Sequence, residues 1–312
     1  MDKRRSKSKI VVILGPTATG KSALAVSLAQ KFNGEVISAD SRQVYRGLDI
    51  GTGKIKKKEM HGIPHHLLDV ASPKKQYSAM DYKIAGKKVL DNIISREKIP
   101  IIGGGTGFYI DTLVRGSVFP DVGPNEKLRK ELSEKSPNEL FTMLEKLDPK
   151  RAKTVDRKNP RRLIRAIEVA KALGTVPTLE RKSSRFNALL IGLTVPKEEL
   201  REKINKRIRE RFSQGMIAEA QKLNRKGLSW RRMEELGLEY RFLAQHLQGK
   251  ISKDETIKHL ETEIWHYAKR QITWFKRDKQ IIWFHPSESK KILLTVKKFL
   301  IEKPASRKAR RA

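Results

Sequence analysis

The sequence predicts an α/β fold in which helices cover both faces of a parallel sheet and an all-helical segment is inserted. Three observations predict this fold. Short, continuously apolar runs alternate with segments of helical spacing, a glycine-rich motif joins the first run to the first segment, and residues from about 120 to 187 show helical patterns alone. Strands that are apolar throughout are typical of parallel sheets buried on both faces. A chain of 312 residues can hold one large or two smaller domains.

The first strand leads into a phosphate-binding loop. The apolar run 10–14 is followed by a G-x-x-x-x-G-K-[ST] motif and then by Leu24, Leu28 and Phe32 at helical spacing. In such a loop, backbone N–H groups and the helix N-terminus bind a di- or triphosphate. We expect Lys21 to reach the outer phosphates and Ser22 to bind Mg²⁺. The core is therefore predicted to resemble the P-loop NTPases, with a loop made of Gly15, Pro16, Thr17, Ala18, Thr19, Gly20, Lys21 and Ser22.

Three more strands and a helix follow in the first part of the chain. The strands are predicted at 35–40, 65–70 and 99–102, and the helix at 77–96 has apolar residues near helical spacing. Ligands of parallel sheets collect at the carboxyl ends of the strands. The polar residues expected at that edge are Asp40, Ser41, Asp69 and Thr106.

The rest of the chain divides into an insertion, a return to the sheet and a tail. In the insertion, Asp148-Pro149 and Asn159-Pro160 each have the form of an N-cap followed by proline at the first helical position. A strand at 188–193 then resumes the sheet, and a helix with Leu200, Ile204, Ile208 and Phe212 follows. The predicted parts are a first core segment at 1–119, the insertion at 120–187, the completion of the core at 188–302 and a basic disordered tail at 303–312.

Composition narrows the function classes. Lys and Arg number 68 against 35 Asp and Glu, so the formal charge is +33, which favours a polyanionic partner such as nucleic acid. The chain has no cysteine, which excludes disulfides and thiolate zinc sites and favours the cytoplasm. No apolar run approaches membrane-spanning length, so no membrane partner is predicted.

Six ordered motifs together resemble the tRNA dimethylallyltransferase (isopentenyltransferase) family in its bacterial form. The resemblance extends from Ile10 to about Phe284, and the motifs lie at 15–22, 38–52, 64–69, 103–110, 159–166 and 268–275. It implies transfer of a dimethylallyl group from dimethylallyl diphosphate to the N6 amine of the adenosine just 3′ of the anticodon in tRNA. The phosphate loop would then hold a leaving diphosphate, with Mg²⁺ as cofactor, and no phosphoryl group would be transferred.

The resemblance also suggests roles for individual residues. Asp40 is the candidate general base for the adenine amine, and its alternative role is a more distant partner of Mg²⁺. Thr106 and Arg129 match residues that line the reaction channel of the family, and with Lys21 and Asp40 they form the predicted catalytic set. The predicted tRNA contacts are Asp40, Ser41, Arg42, Gln43, Thr106, Arg129, Arg161, Arg162, Leu163, Ile164 and Arg165.

Other features carry less weight. His65 and His66 are interpreted as strand residues of the active site or as packing, rather than as metal ligands. Trp265, Trp274 and Trp283 are interpreted mainly as core packing. Where many bacterial members have Gly-Tyr-Arg, this chain has Gly-Leu-Glu-Tyr-Arg at 237–241, and no RNA contact is assigned there.

Three alternatives stay open. A small-molecule or nucleotide kinase would use the same loop with the insertion as its lid, but it has no need of so large a positive charge. An adenylate isopentenyltransferase would prenylate free adenine nucleotides. A non-catalytic RNA-binding protein would use a nucleotide only as a switch. Because the sequence shows no coiled coil, we expect a monomer.

Overall fold

The computed structural model describes residues 7–116, 120–177 and 185–302. These residues form two compact units, one within 1–116 and 183–312 and the other within 117–182. The predicted basic tail at 303–312 lies outside the described residues. Across the described ranges, no helix is both long enough and apolar enough to cross a bilayer.

The first unit is built on a six-stranded sheet in which every pair of neighbouring strands is parallel. The order is β3-β2-β4-β1-β5-β6. The strands are β1 (Ser8–Leu14), β2 (Gly34–Ser38), β3 (His65–His66), β4 (Ile99–Gly104), β5 (Phe186–Leu193) and β6 (Ile282–Phe284). Val11, Ile13 and Ile191 are among the fully buried strand residues, as expected for strands covered on both faces.

Helices fill the connections and cover the sheet. In the first unit they are α1 (Lys21–Lys31), α2 (Ala79–Ser95), α3 (Gly107–Val114), α8 (Lys197–Ser213), α9 (Met216–Arg225), α10 (Trp230–Leu236), α11 (Leu238–Leu247), α12 (Lys253–Phe275) and α13 (Ser289–Ile301). In the second unit they are α4 (Glu126–Ser133), α5 (Pro137–Leu147), α6 (Pro149–Ala152) and α7 (Pro160–Leu173). The apolar ladder of α8 is buried at Leu200, Ile204 and Ile208.

Two sequence predictions differ from the structure. The third strand covers 65–66 instead of 65–70, because Leu67 and Asp69 take φ values of 62° and 57° that no strand can hold. In α2, Ile84 is 52% exposed, whereas Tyr82 is buried. The Tyr82 hydroxyl donates to the carbonyl of Ser38 at 3.0 Å, so the buried face of this helix holds an amphipathic aromatic residue together with Leu90 and Ile93.

The second unit consists of helices alone within 120–177, and both predicted N-caps are present. The Asp148 side chain accepts from the N–H of Arg151 at 2.9 Å, and the Asn159 side chain accepts from the N–H of Arg162 at 3.2 Å. Proline follows each cap at the first helical position, where its missing N–H costs nothing.

A buried carboxylate ties two helices of this unit together. Glu168 on α7 is 2% exposed, and it accepts from Arg129 Nε and Nη2 at 3.0 Å each and from the N–H of Asn125 at 2.7 Å. Arg165 also contacts it. Burial by itself would raise the pKa of Glu168, but the bonds from Arg129, Asn125 and Arg165 outweigh it and lower the pKa.

We predict that Glu168→Gln lowers the free energy of unfolding by about 2–4 kcal/mol, because it leaves two arginines without their buried counter-ion. Glu126→Gln is the matched control, since Glu126 also faces Arg129, at 3.9 Å, but is 83% exposed. It should change stability by about 0.5 kcal/mol or less. Urea unfolding measures both, and equal losses in the two variants would contradict the prediction.

Candidate active site

A cleft of about 730 Å³ opens at the carboxyl edge of the sheet. Three loops line it, and they follow β1, β4 and β2, which are neighbours in the sheet. They bring Lys21 and Ser22 from the first loop, Gly105 from the second, and Asp40 and Gln43 from the third to one place. Of the four polar residues predicted at this edge, Asp40 lines the cleft, and the Thr106 hydroxyl accepts from the N–H of Ser41. Asp69 does not line the cleft, because the strand ends at His66, and its carboxylate pairs with Lys54 at 2.6 Å.

The phosphate loop has the backbone that its glycines allow. Gly15 takes φ 140° and Gly20, the N-cap of α1, takes φ 83°, both in the region that favours glycine. The Thr19 hydroxyl donates to the Pro16 carbonyl at 2.9 Å and closes the turn. The loop thus ends on a free helix N-terminus that faces the cleft, which suits an anion.

The Lys21 side chain lines the cleft. Its Nζ donates to the carbonyl of Pro16 at 2.5 Å. Burial and, to a smaller extent, the charge of Arg207 lower the pKa of Lys21 to about 7, although Asp40 opposes the shift. A bound diphosphate would favour the charged form of Lys21.

Arg207 lines the cleft and was not predicted from the sequence. It lies on α8, and its Nη1 is 3.4 Å from the Thr17 hydroxyl of the phosphate loop. Burial and, to a smaller extent, neighbouring Arg211 lower the pKa of Arg207 to about 10. The signal was available: positions 204, 207, 208 and 211 fall on one face of a helix, so two arginines share the buried face with isoleucines.

A side-chain amide joins the phosphate loop to the loop after β4. Gln271 on α12 accepts from the N–H of Thr17 at 2.9 Å and donates from Nε2 to the carbonyl of Gly105 at 2.9 Å. Its side chain is buried. Because both halves of the amide are used, the spacing between the two loops is set by a single rigid group.

Asp40 and Thr106 organise the opposite wall. One Asp40 oxygen accepts from the N–H groups of Arg42 and Gln43 at 2.8 and 3.3 Å, and the Thr106 hydroxyl accepts from the N–H of Ser41 at 3.0 Å. Asp40 lines the cleft and Thr106 adjoins it. The structure therefore brings Asp40, Thr106 and the phosphate loop together.

Tyr267 completes this wall and was not predicted. It lines the cleft and makes a hydrogen bond with Thr106. Burial raises the pKa of Tyr267, and the negative charge of Asp40 adds to the rise, so the phenol is neutral at physiological pH. A neutral hydroxyl beside Thr106 fixes the orientation of the threonine.

The remaining predicted contact residues belong to the second unit. Arg129 and Arg165 are both paired with Glu168, and Arg161 and Arg162 are exposed. Leu163 is fully buried in the core of this unit, so its side chain packs and is not available to a ligand. Ile164 is partly buried against the same core.

The donor set of the cleft fits Mg²⁺ through oxygen atoms. The Ser22 hydroxyl and the Asp40 carboxylate line the same cavity, and both are hard ligands. Within the described ranges, no three His, Asp or Glu side chains are grouped to bind a metal ion. His66 Nε2 lies 2.8 Å from Glu35 Oε2, and His65 Nδ1 lies 2.8 Å from the carbonyl of Ile63, so both imidazoles have protein partners.

Aromatic residues near the cleft mostly pack. Trp274 meets Phe108 edge to face with ring centres 6.5 Å apart, and Arg277 lies 5.5 Å from the Trp274 ring. Trp265 carries Lys269 at 5.8 Å from its ring. Trp283 lies against Gly192 on β5.

Comparison with known proteins gives one consistent result. The model of the family described as IPP transferase matches residues 43–278. A tRNA dimethylallyltransferase 2 of Treponema denticola is 45% identical over 276 residues, which cover 87% of this chain and 92% of that protein. A tRNA dimethylallyltransferase of Anoxybacillus flavithermus is 39% identical over 281 residues, or 88% and 90% of the two chains.

Solved structures agree. The tRNA isopentenylpyrophosphate transferase of Bacillus halodurans superposes with a TM-score of 0.72 at 34% identity, covering 95% of this chain and 97% of that one. A eukaryotic dimethylallyltransferase acting on tRNA superposes with a TM-score of 0.80 at 25% identity, covering 96% and 81%. The sheet, the cleft and these matches together show that the chain belongs to the IPP transferase family, the family of the tRNA dimethylallyltransferases.

Proposed function

We propose that the protein transfers a dimethylallyl group from dimethylallyl diphosphate to the N6 amine of the adenosine 3′-adjacent to the anticodon in tRNA. The observation that carries this proposal is the single cleft in which an anion-binding loop and the Asp40 wall face the same space. The names of the relatives and the charge of +33 support a tRNA substrate. Such a substrate also favours a cytoplasmic protein, and we expect it to act as a monomer.

In this proposal the phosphate loop stabilises a leaving group. As the bond between the allylic carbon and the diphosphate oxygen breaks, negative charge grows on that oxygen. Lys21, Arg207 and the N-terminus of α1 are placed to stabilise it, and interactions that strengthen in the transition state accelerate the reaction. Mg²⁺ bound through Ser22 would add Lewis-acid stabilisation of the same charge.

Asp40 is the proposed base. The N6 lone pair attacks the allylic carbon, the carbon–oxygen bond breaks, and the extra proton on N6 passes to the Asp40 carboxylate. Because the Asp40 turn is held by two backbone N–H groups and Thr106 by Tyr267, the wall is ordered before substrate arrives. The base must be extruded from the anticodon loop to reach this wall.

Arginines outside the cleft are proposed to contact the tRNA. Arg42 follows Asp40 directly, and Arg161 and Arg162 are exposed on the second unit. Arg129 remains the proposed channel arginine. Such side chains bind phosphates and position the RNA, whereas the base itself is selected in the cleft.

The proposal is tested with dimethylallyl diphosphate carrying a labelled prenyl group, unmodified tRNA with adenosine 3′ of the anticodon, and Mg²⁺. Label should accumulate on that adenosine. Lys21→Ala should reduce the rate by about 100- to 1,000-fold, whereas Lys31→Ala, an exposed lysine on the same helix, should keep it. Transfer of the ATP γ-phosphate to a small acceptor, with no label on tRNA, would favour the kinase alternative.

We predict that Asp40→Asn lowers kcat by about 100-fold or more, because an amide cannot accept the N6 proton. Asp254→Asn, at an exposed position of α12, is the control. Recovery of the Asp40→Asn rate at raised Mg²⁺ concentration would contradict a base and support the metal-partner role.

The pKa of Lys21 predicts proton uptake on donor binding. Burial and the charge of Arg207 hold this pKa at about 7, and a bound diphosphate favours the charged amine and raises it. Above pH 7 binding must therefore take up a proton, and affinity for dimethylallyl diphosphate should fall between about pH 7.5 and 9.5. Calorimetry in buffers of different ionisation enthalpy measures the uptake. Lys21→Arg should abolish it, and uptake that persists in that variant would exclude Lys21 as its source.

A further inference from the structure

The backbone at 49–51, in the segment that follows the Asp40 wall, is held by side chains of α8, α9 and α11. Glu219 on α9 accepts from three consecutive N–H groups, those of Asp49, Ile50 and Gly51, at 3.0, 2.7 and 3.0 Å. Three bonds from backbone donors to one carboxylate are charge-assisted and orient it fully. The N–H of Gly51 is thus bound to Glu219 Oε1.

A tyrosine holds that carboxylate in turn. The Tyr240 hydroxyl donates to the same Glu219 Oε1 at 2.6 Å, and Tyr240 is 1% exposed. A Cβ at Gly51 would lie 2.7 Å from the Tyr240 oxygen, so the two groups are in close contact and only glycine fits. Tyr240 therefore fixes the N–H of Gly51 through its hydrogen bond to Glu219, and it also packs directly on Gly51.

The carbonyl of Gly51 is held by Arg211, which in turn pairs with Glu239, the residue before Tyr240. Arg211 Nη1 donates to the Gly51 carbonyl at 2.9 Å and pairs with Glu239 Oε1 at 3.1 Å. Arg211 and Glu239 are both buried. Two consecutive residues of α11 therefore hold Gly51 indirectly. Tyr240 acts on its N–H through Glu219, and Glu239 acts on its C=O through Arg211.

The backbone at the start of α11 is strained. Leu238, directly before Glu239, has φ 40° in the left-handed region, which disfavours a residue with a branched side chain. It follows Gly237, whose φ is 73°. Directly after this strained turn, Glu239 and Tyr240 contact the side chains that hold Gly51.

The position of Gly51 matters because the next two residues, Thr52 and Gly53, line the cleft. Gln43 Nε2 donates to the carbonyls of Thr52 and Gly53 at 3.5 Å each, and the Gly53 backbone lies against the guanidinium groups of Arg207 and Arg211. Gln43 belongs to the proposed adenosine side of the cleft and Arg207 to the diphosphate side. One short backbone segment therefore supports both sides.

We propose that Glu239 and Tyr240 are positioning residues that hold the N–H and the C=O of Gly51 and thereby align the two sides of the cleft for transfer. This assignment gives a role to the 237–241 segment, in which the chain departs from the usual Gly-Tyr-Arg. It rests on the proposed prenyl transfer, and neither residue touches substrate in this account.

The test uses Tyr240→Phe, which deletes one oxygen atom, and Glu239→Gln, which keeps size and removes the charge. Each should lower the single-turnover rate of prenyl transfer about tenfold, because misplaced groups slow the chemical step. The double variant should be no more than about twofold slower than the slower single variant, because both residues act on the placement of Gly51. Glu235→Gln, in an exposed ion pair on α10, is the matched control and should react like the wild type.

Single-turnover rates are normalised to the active fraction, so that a loss of folded protein does not appear as a loss of rate. Rates of Tyr240→Phe within twofold of the wild type, or a fully multiplicative double variant, would overturn the assignment. Should Glu239→Gln fail to fold, Tyr240→Phe decides the matter by itself.

Hydrogen exchange separates this inference from the proposed function. Tyr240→Phe should speed exchange of the 49–51 amides, and Glu235→Gln should leave it unchanged. This readout needs no substrate, so it stands even if the wild type transfers no prenyl group to tRNA. Unchanged protection at 49–51 in Tyr240→Phe would also overturn the assignment.

Discussion

The amide of Gln271 is the interaction on which the geometry of the cleft depends. It joins the N–H of Thr17 to the carbonyl of Gly105, and these two loops follow adjacent strands of the sheet. The chain after β2 rests on the same strand end, since the N–H of Ala39 donates to Gly103 at 2.8 Å and that of Thr106 to Ala39 at 3.0 Å. The phosphate site and the Asp40 wall are consequently held at a set distance through the middle strand. A buried amide with both ends satisfied is rigid, and helix α12 must be in place before it can act.

Cationic side chains cluster beside the phosphate loop. Lys21, Arg207 and Arg211 come close together, while Asp40 and Glu239 supply the nearby negative charge. Burial disfavours the charged form of Lys21, and a bound diphosphate would favour it. This arrangement suits a leaving group better than a transferred phosphoryl group, because the cations surround the phosphate loop and the proposed base lies on the opposite wall.

Much of the fold follows from local sequence. The apolar runs of the strands, the phosphate loop and the N-caps at Asp148 and Asn159 each depend on residues within a few positions, and all are present. What local patterns miss depends on distant partners. Tyr82 on the buried face of α2 bonds a carbonyl 44 residues away, and Arg207 reaches a threonine 190 residues away. The bond from Tyr240 to Glu219 joins two helices whose relative placement no periodicity encodes.

The central claim is that the phosphate loop holds a diphosphate that departs intact while a base of tRNA attacks the prenyl carbon. The most direct measurement follows phosphorus through a single turnover, with dimethylallyl diphosphate labelled at both phosphorus atoms and excess tRNA. The account predicts one inorganic diphosphate, still carrying both labels, for each dimethylallyl-adenosine formed, and no label on tRNA. Labelled phosphorus on the tRNA, or release as separate orthophosphates, would contradict it.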